Sequence, residues 1–247
     1  MLGRVRIGFL LATAMATITS LGSSQQVGPY VAREVADGGV ITGTVTLRGE
    51  ARPPKELNIT KDPEVCGKEP KFEEDLLVAR ETAGLKNVVV WLSDINEGKA
   101  WEARTQPVTL DQNGCRFTPR ILIVPAGETF HILNSDGILH NIHTRSSENR
   151  PINKAHPKFV KRLQARLKRP EIVRVDCDAH DWMRGWIAVA AHPSYVATDE
   201  NGSYRLEDVP PGTYTVTLWH ETLGEQTRQV TVSPGAEVQV DVAYTLK

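Results

Sequence analysis

Apolar residues recur at strand spacing along much of the chain. Pro119-Arg-Ile-Leu-Ile-Val124 and Thr129-Phe-His-Ile-Leu-Asn134 are short β-rich runs around Pro125-Ala126-Gly127, which predicts a hairpin turn. Glu171-Ile-Val-Arg-Val-Asp176 and Arg184-Gly-Trp-Ile-Ala-Val189 have the same character and are bounded by Pro or Gly. The last third continues the pattern. An Asn201-Gly202 turn lies in Thr198-Asp-Glu-Asn-Gly-Ser-Tyr-Arg-Leu206, Asp208 to Trp219 alternates through a strand, and Gln229 to Tyr244 supplies further strands around Pro234-Gly235. None of these runs has helical spacing, so the fold class is all-β.

One segment breaks the pattern. Between Arg145 and Arg169 there are nine Lys or Arg residues and a single acid, Glu148. Within it, Phe159, Leu163 and Leu167 recur every four residues, Pro157 suits a first helical turn and Pro170 stops the run. This predicts one short helix in the 145–170 region. Its basic face is either a solvated surface or a docking surface for an acidic partner, since such charge speeds encounter more than it strengthens a complex.

Between two of the strand runs lies Cys177-Asp-Ala-His180-Asp-Trp-Met183, and upstream stands His140-Asn-Ile-His143. One thiolate, two imidazoles and a thioether form the donor set of a blue-copper electron-transfer centre, in which two His and one Cys lie in a plane and a weak Met sits on the axis. The candidate ligands are therefore His140, Cys177, His180 and Met183. Three residues apart on an extended chain, His140 and His143 point to opposite faces, so only one can meet the metal. Asn141, beside the first ligand, is placed to tie the two ligand segments together by hydrogen bonds.

These same residues carry a resemblance. The segments 140–143 and 177–185 look like the ligand segments of the amicyanin and plastocyanin-like cupredoxin family, over roughly residues 108 to 191. The resemblance implies a Greek-key copper sandwich, one type 1 copper ion, and His180 near the surface as the exit path for electrons. Asp181-Trp182 within the loop and the long insert after His143 depart from that family. A second resemblance lies in Thr198-to-Val216, which is similar to the carboxypeptidase regulatory-like domain, a small transthyretin-like sandwich. Gly39 to Leu47 and Leu85 to Leu92 look like its earlier strands. The implied layout is 38–107 with 193–247 as one discontinuous sandwich and 108–192 as a copper sandwich set into it. A tandem arrangement with an N-terminal extension is the alternative. The whole chain is similar to secreted proteins labelled methylamine utilisation proteins.

Arg4 and Arg6 precede an apolar stretch from Ile7 to Ile18 and the small residues Ser20 to Ser24. This predicts a secretory signal peptide over residues 1–24, with an uncleaved anchor as the alternative, and hence a periplasmic or extracellular location. No later segment is long and apolar enough to span a bilayer. In an oxidising compartment Cys66 and Cys115 would form a disulfide if close in space, leaving Cys177 for the metal; two unpaired buried cysteines is the alternative.

A net charge of −1 over 247 residues argues against a nucleic-acid partner. No Ser-His-Asp order, phosphate-cradling Gly loop or pair of placed carboxylates suggests a hydrolase. Four protein ligands would leave a copper ion no open position for substrate, so no enzymatic activity is expected. Three functions compete: a type 1 copper electron carrier, a copper buffer using the same ligands, and an accessory carbohydrate- or protein-binding sandwich. The carrier would meet its redox partner through the basic 145–169 segment or a surface around Trp182.

Overall fold

The computed structural model describes residues 29–246; the predicted signal peptide lies outside them. The described chain runs through β1 (Val31–Ala32), β2 (Gly39–Arg48), the four-residue helix α1 (Pro63–Cys66), β3 (Val89–Leu92) and β4 (Glu97–Gly98). A second group follows: β5 (Thr109–Gln112), β6 (Phe117–Thr118), β7 (Ile121–Pro125), β8 (Thr129–Asn134), β9 (His140–Arg145), β10 (Asn153–His156), β11 (Arg162–Arg166), β12 (Glu171–Asp176) and β13 (Arg184–Ala190). The last strands are β14 (Tyr195–Ala197), β15 (Ser203–Val209), β16 (Gly212–His220), β17 (Gly224–Val232), β18 (Glu237–Gln239) and β19 (Val242–Thr245). The molecule is all-β.

The middle group forms one sandwich. A five-stranded sheet in the order β10-β9-β12-β13-β7 packs on a four-stranded sheet in the order β11-β8-β5-β6. Ile142, Val173, Val175, Ile187 and Leu122 from the first sheet share a core with Leu110, Phe117, Phe130 and Ile132 from the second. The second sandwich joins strands from both ends of the chain. One of its sheets runs β14-β3-β16-β17 and the other β15-β2-β18, with β19 also paired to β2. Ile41, Val45, Val90, Leu92, Leu206, Leu218 and Tyr244 fill its core.

A third apolar cluster lies where the sandwiches meet, with Val89, Ile121 and Ala188 at its centre and Trp91, Trp186 and Trp219 against them. Strands β3, β7 and β13 are thus buried on both faces. This explains why Val88-Val-Val-Trp-Leu92 and Trp186-Ile-Ala-Val189 read as continuous apolar runs rather than strict alternation. Beside the cluster, the Arg120 guanidinium donates Nε–H to Glu221 Oε1 at 2.8 Å and Nη2–H to Oε2 at 2.9 Å, a largely buried fork-to-fork pair.

Two expectations are corrected. Pro125-Ala126-Gly127 does turn the chain, with Glu128 N–H donating to Pro125 O at 3.0 Å, but β7 and β8 enter opposite sheets and do not form a hairpin. Each strand sends its apolar residues to one shared core, so the chain arches across it. The helix expected in the 145–170 region is absent from the described structure. A turn closed by Val160 N–H on Pro157 O leads into β11, which pairs antiparallel with β8. Leu163, Ala165 and Leu167 point inward at a spacing of two, and Phe159 is 79% exposed. A repeat of four is also a repeat of two, and pairing with the β8 edge decided between them.

Candidate metal centre

The site forms where two segments cross at one end of the middle sandwich. His140 opens β9, in the register of the core sheet. Cys177 follows β12 directly, and seven residues later β13 begins. The loop between is closed by its own backbone: Cys177 N–H donates to Met183 O at 3.2 Å and Met183 N–H to His180 O at 3.0 Å. Asn141 ties the two segments together. Its N–H donates to Cys177 Sγ at 3.4 Å, its amide accepts from Asp178 N–H, and its Nδ2–H₂ reaches Asp178 Oδ2 and Asn153 Oδ1, each at 3.0 Å.

This crossing brings three donors together. His140 Nδ1 and His180 Nδ1 are 3.0 Å apart, and Cys177 Sγ lies 3.8 Å from the first and 3.7 Å from the second. All three side chains are buried. Met183 ends the loop with its side chain buried in the same core cluster as Cys177. His143 lies on the opposite face of β9 and bonds to the Asp178 carboxylate. His131 bonds to Gln164 on the adjacent strand, and His220 accepts from Thr222 N–H; both are away from the cluster.

The donor spacing suits one small transition-metal ion. Nitrogen at about 2.0 Å and sulfur at about 2.3 Å from a shared ion stand roughly 3 to 4 Å from one another. The chemistry of the set, one thiolate with two imidazoles in a dry pocket, is that of a copper or zinc site. His140, Cys177 and His180 fit such an ion.

Two carboxylates aim the imidazoles. His140 Nε2 bonds to Asp136 Oδ2 at 2.9 Å, and His180 Nε2 to Asp62 Oδ2 at 2.9 Å. With the Nε2 proton donated outward, each Nδ1 is turned toward the shared point. Burial alone would lower the His140 pKa, but Asp136 and the Cys177 sulfur override it and raise it to about 9. Burial alone would raise the Cys177 pKa, but His140, His180 and the amides of Asn141 and Ala179 bring it down to about 6. Asp136 likewise titrates below its ordinary value, because His140 and the N–H groups of Cys115 and Gly114 outweigh the effect of burial.

Cys66 and Cys115 form the disulfide, and Cys177 is the free cysteine. Cys115 Sγ also lies near Asp136 and His140, but as half of the bridge it offers no thiolate. One expectation about access is overturned. His180 is not at the surface; its side chain is 0% exposed, covered by Asp62 on one side and by the Trp182 ring, 5.2 Å between centroids, on another. Asp62 and Asp136 were not legible as site residues. Asp136 stands four residues before His140 in an ordinary Ser-Asp-Gly turn sequence, and Asp62 is 118 residues from its partner.

No curated protein matches the chain. Among solved structures it is similar to a copper-containing nitrite reductase of Thermus scotoductus, at 22% identity and a TM-score of 0.33, over 37% of this chain and 24% of that one. It thus spans about a quarter of that reductase. It is also similar to a purple cupredoxin of Nitrosopumilus maritimus, at 19% identity and a TM-score of 0.29, over 34% of this chain and 99% of that one. A third similarity is to an oxidised proline-to-glycine variant of amicyanin, at 19% identity and a TM-score of 0.32, over 37% and 89% of the two chains. Residues 187–245, from within β13 through β19, match the family model of the carboxypeptidase regulatory-like domain.

Proposed function

We propose that this protein is an exported type 1 copper protein that carries single electrons between redox partners. The observation that carries the reading is the buried triangle of His140 Nδ1, His180 Nδ1 and Cys177 Sγ, with sides of 3.0, 3.7 and 3.8 Å. Copper held there would supply one-electron chemistry, since thiolate favours Cu(I) and imidazole serves both oxidation states. The residues around it keep the donors still. The loop's two backbone bonds, the Asn141 clamp and the paired carboxylates leave each donor little freedom to move when the charge at the centre changes. Met183 is the proposed axial donor.

Trp182 is the proposed route outward. Its ring lies against His180, and it lines a cavity of about 400 Å³ together with Arg116, Arg120, Arg184 and Glu74. An acidic redox protein is the proposed partner. It would be steered by exposed Lys154, Lys158, Lys161 and Arg162, which with exposed Phe159 lie on β10, the connection after it and the start of β11. Among the described residues no helix is long and apolar enough to cross a membrane. The predicted leader supports a periplasmic or extracellular setting.

Addition of Cu(II) to the purified chain is expected to give intense visible absorption from thiolate-to-copper charge transfer, with a matching paramagnetic resonance signal. Cys177→Ser is expected to abolish the band. A colourless, readily exchanging complex would sink the carrier reading and favour a metal buffer.

A further inference from the structure

Asp62 lies outside the sandwich that carries the other site residues. It sits in the long connection between β2 and β3, immediately before α1, in the left-handed region with φ 47° and ψ 48°. Asp is one of the few residues with a side chain that accepts this conformation without large strain. Its carbonyl accepts from Val65 N–H at 3.0 Å and Cys66 N–H at 2.8 Å, so the turn that aims its carboxylate also delivers Cys66. Cys66 is joined to Cys115.

The far end of that bridge leads to the other imidazole. Cys115 N–H donates to Asp136 Oδ2 at 2.8 Å and Gly114 N–H to Asp136 Oδ1 at 2.6 Å, while Asp136 Oδ2 bonds to His140. Cys115 O in turn accepts from Trp182 Nε1–H at 3.3 Å, and the Trp182 ring covers His180. The two carboxylates behind the two imidazoles are therefore anchored at opposite ends of one disulfide. Nothing local in the β12–β13 loop holds His180 Nε2; a segment 118 residues upstream does.

We propose that Asp62 is a positioning residue of the metal centre, and that the Cys66–Cys115 bridge anchors it. Asp62 fixes His180 with its proton on Nε2 and its Nδ1 toward Cys177, and it seals that imidazole from water. The proposal rests on the copper reading for its consequence, metal retention, but not for the geometry it asserts. Asp62→Ala removes the acceptor and places Ala in the left-handed region, whereas Asp62→Asn keeps an oxygen acceptor and a residue that tolerates this backbone.

The test uses the full exported chain and two readouts. In the metal-free protein, long-range nitrogen–proton NMR of the imidazoles is expected to show His180 as the Nε2–H tautomer. Asp62→Ala should give a mixture at His180 while His140 stays unchanged, and Asp62→Asn should restore the single tautomer. With Cu(II) and a competing chelator, Asp62→Ala should bind about 10–100-fold more weakly, with Asp62→Asn recovering most of the loss. A single unchanged His180 tautomer in Asp62→Ala, or Cu(II) affinity within about twofold of the parent in a copper-binding chain, overturns the proposal. Should the parent chain take up no copper, the carrier reading fails, while the metal-free tautomers still decide the role of Asp62. If Asp62→Ala does not fold, the comparison of Asp62→Asn with Asp62→Leu carries the same tautomer readout.

Discussion

At the scale of single residues, position on a strand decides which of two similar side chains can act. His140 and His143 are three apart on β9; one is fully buried against Cys177 and His180, the other half-buried on the far face with Asp178. Strand geometry made legible that only one of the two can face the metal, because that depends on near neighbours alone; the Asn141 clamp reaches Cys177 and Asp178, 36 and 37 residues on, and was expected only from its place beside a ligand. The carboxylates were not, since a loop aspartate carries no local mark of the imidazole it will meet. Met183 admits a direct measurement. Met183→Leu is expected to retain copper and raise the reduction potential, because a weak donor to Cu(II) is lost while the volume is roughly kept. Voltammetry reads this, and an unaltered potential would remove Met183 from the coordination sphere.

At the scale of elements, the reading of apolar, β-rich runs bounded by turn residues marked the longer strands and passed over β1, β4, β5, β6, β10 and β14. It failed in two instructive places. For 157–169, three apolar residues at every fourth position satisfied helix and strand alike, and the open edge of β8 settled the matter by offering hydrogen-bond partners. For 119–134, the turn residues were right, but turn chemistry does not say whether the next strand stays in the sheet or crosses the core. Helix α1, four residues long, has no apolar periodicity to detect. What matters in it is the staple. The bridge closes a separation of 49 residues, so replacing both Cys66 and Cys115 by Ser is expected to lower stability by about 2–4 kcal/mol in urea denaturation. A loss well below 1 kcal/mol would show that this connection is held by its other contacts alone.

At the scale of the whole molecule, the junction between the sandwiches carries its own titratable groups. His192 lies between β13 and β14, its ring tilted against those of Tyr30 and Tyr195, and His220 ends β16 beside the Arg120–Glu221 pair. Burial lowers both from the ordinary 6.5 to about 4, with Arg120 adding to the effect on His220. A group depressed in this way contributes fully above pH 6.5, and its contribution is lost as pH falls through 4, where the unfolded chain already holds the proton. Each histidine should therefore cost the folded state roughly 1–3 kcal/mol between pH 7 and pH 4. Denaturation midpoints at those two pH values test this, and His192→Gln with His220→Gln should flatten the dependence. A slope unchanged in the double variant would place the acid sensitivity elsewhere.

The chain enters the ligand-bearing sandwich after β4 and leaves it from β13, only four residues before β14 takes its place beside β3. A module hung on one flexible tether can swivel; one held by leads of ten and four residues, with three tryptophans and a forked ion pair at the joint, is restrained. The orientation of the buried sulfur relative to the companion half is consequently restrained by that joint. Anything that grips that half therefore presents the Trp182 side of the molecule within a narrowed range of angles.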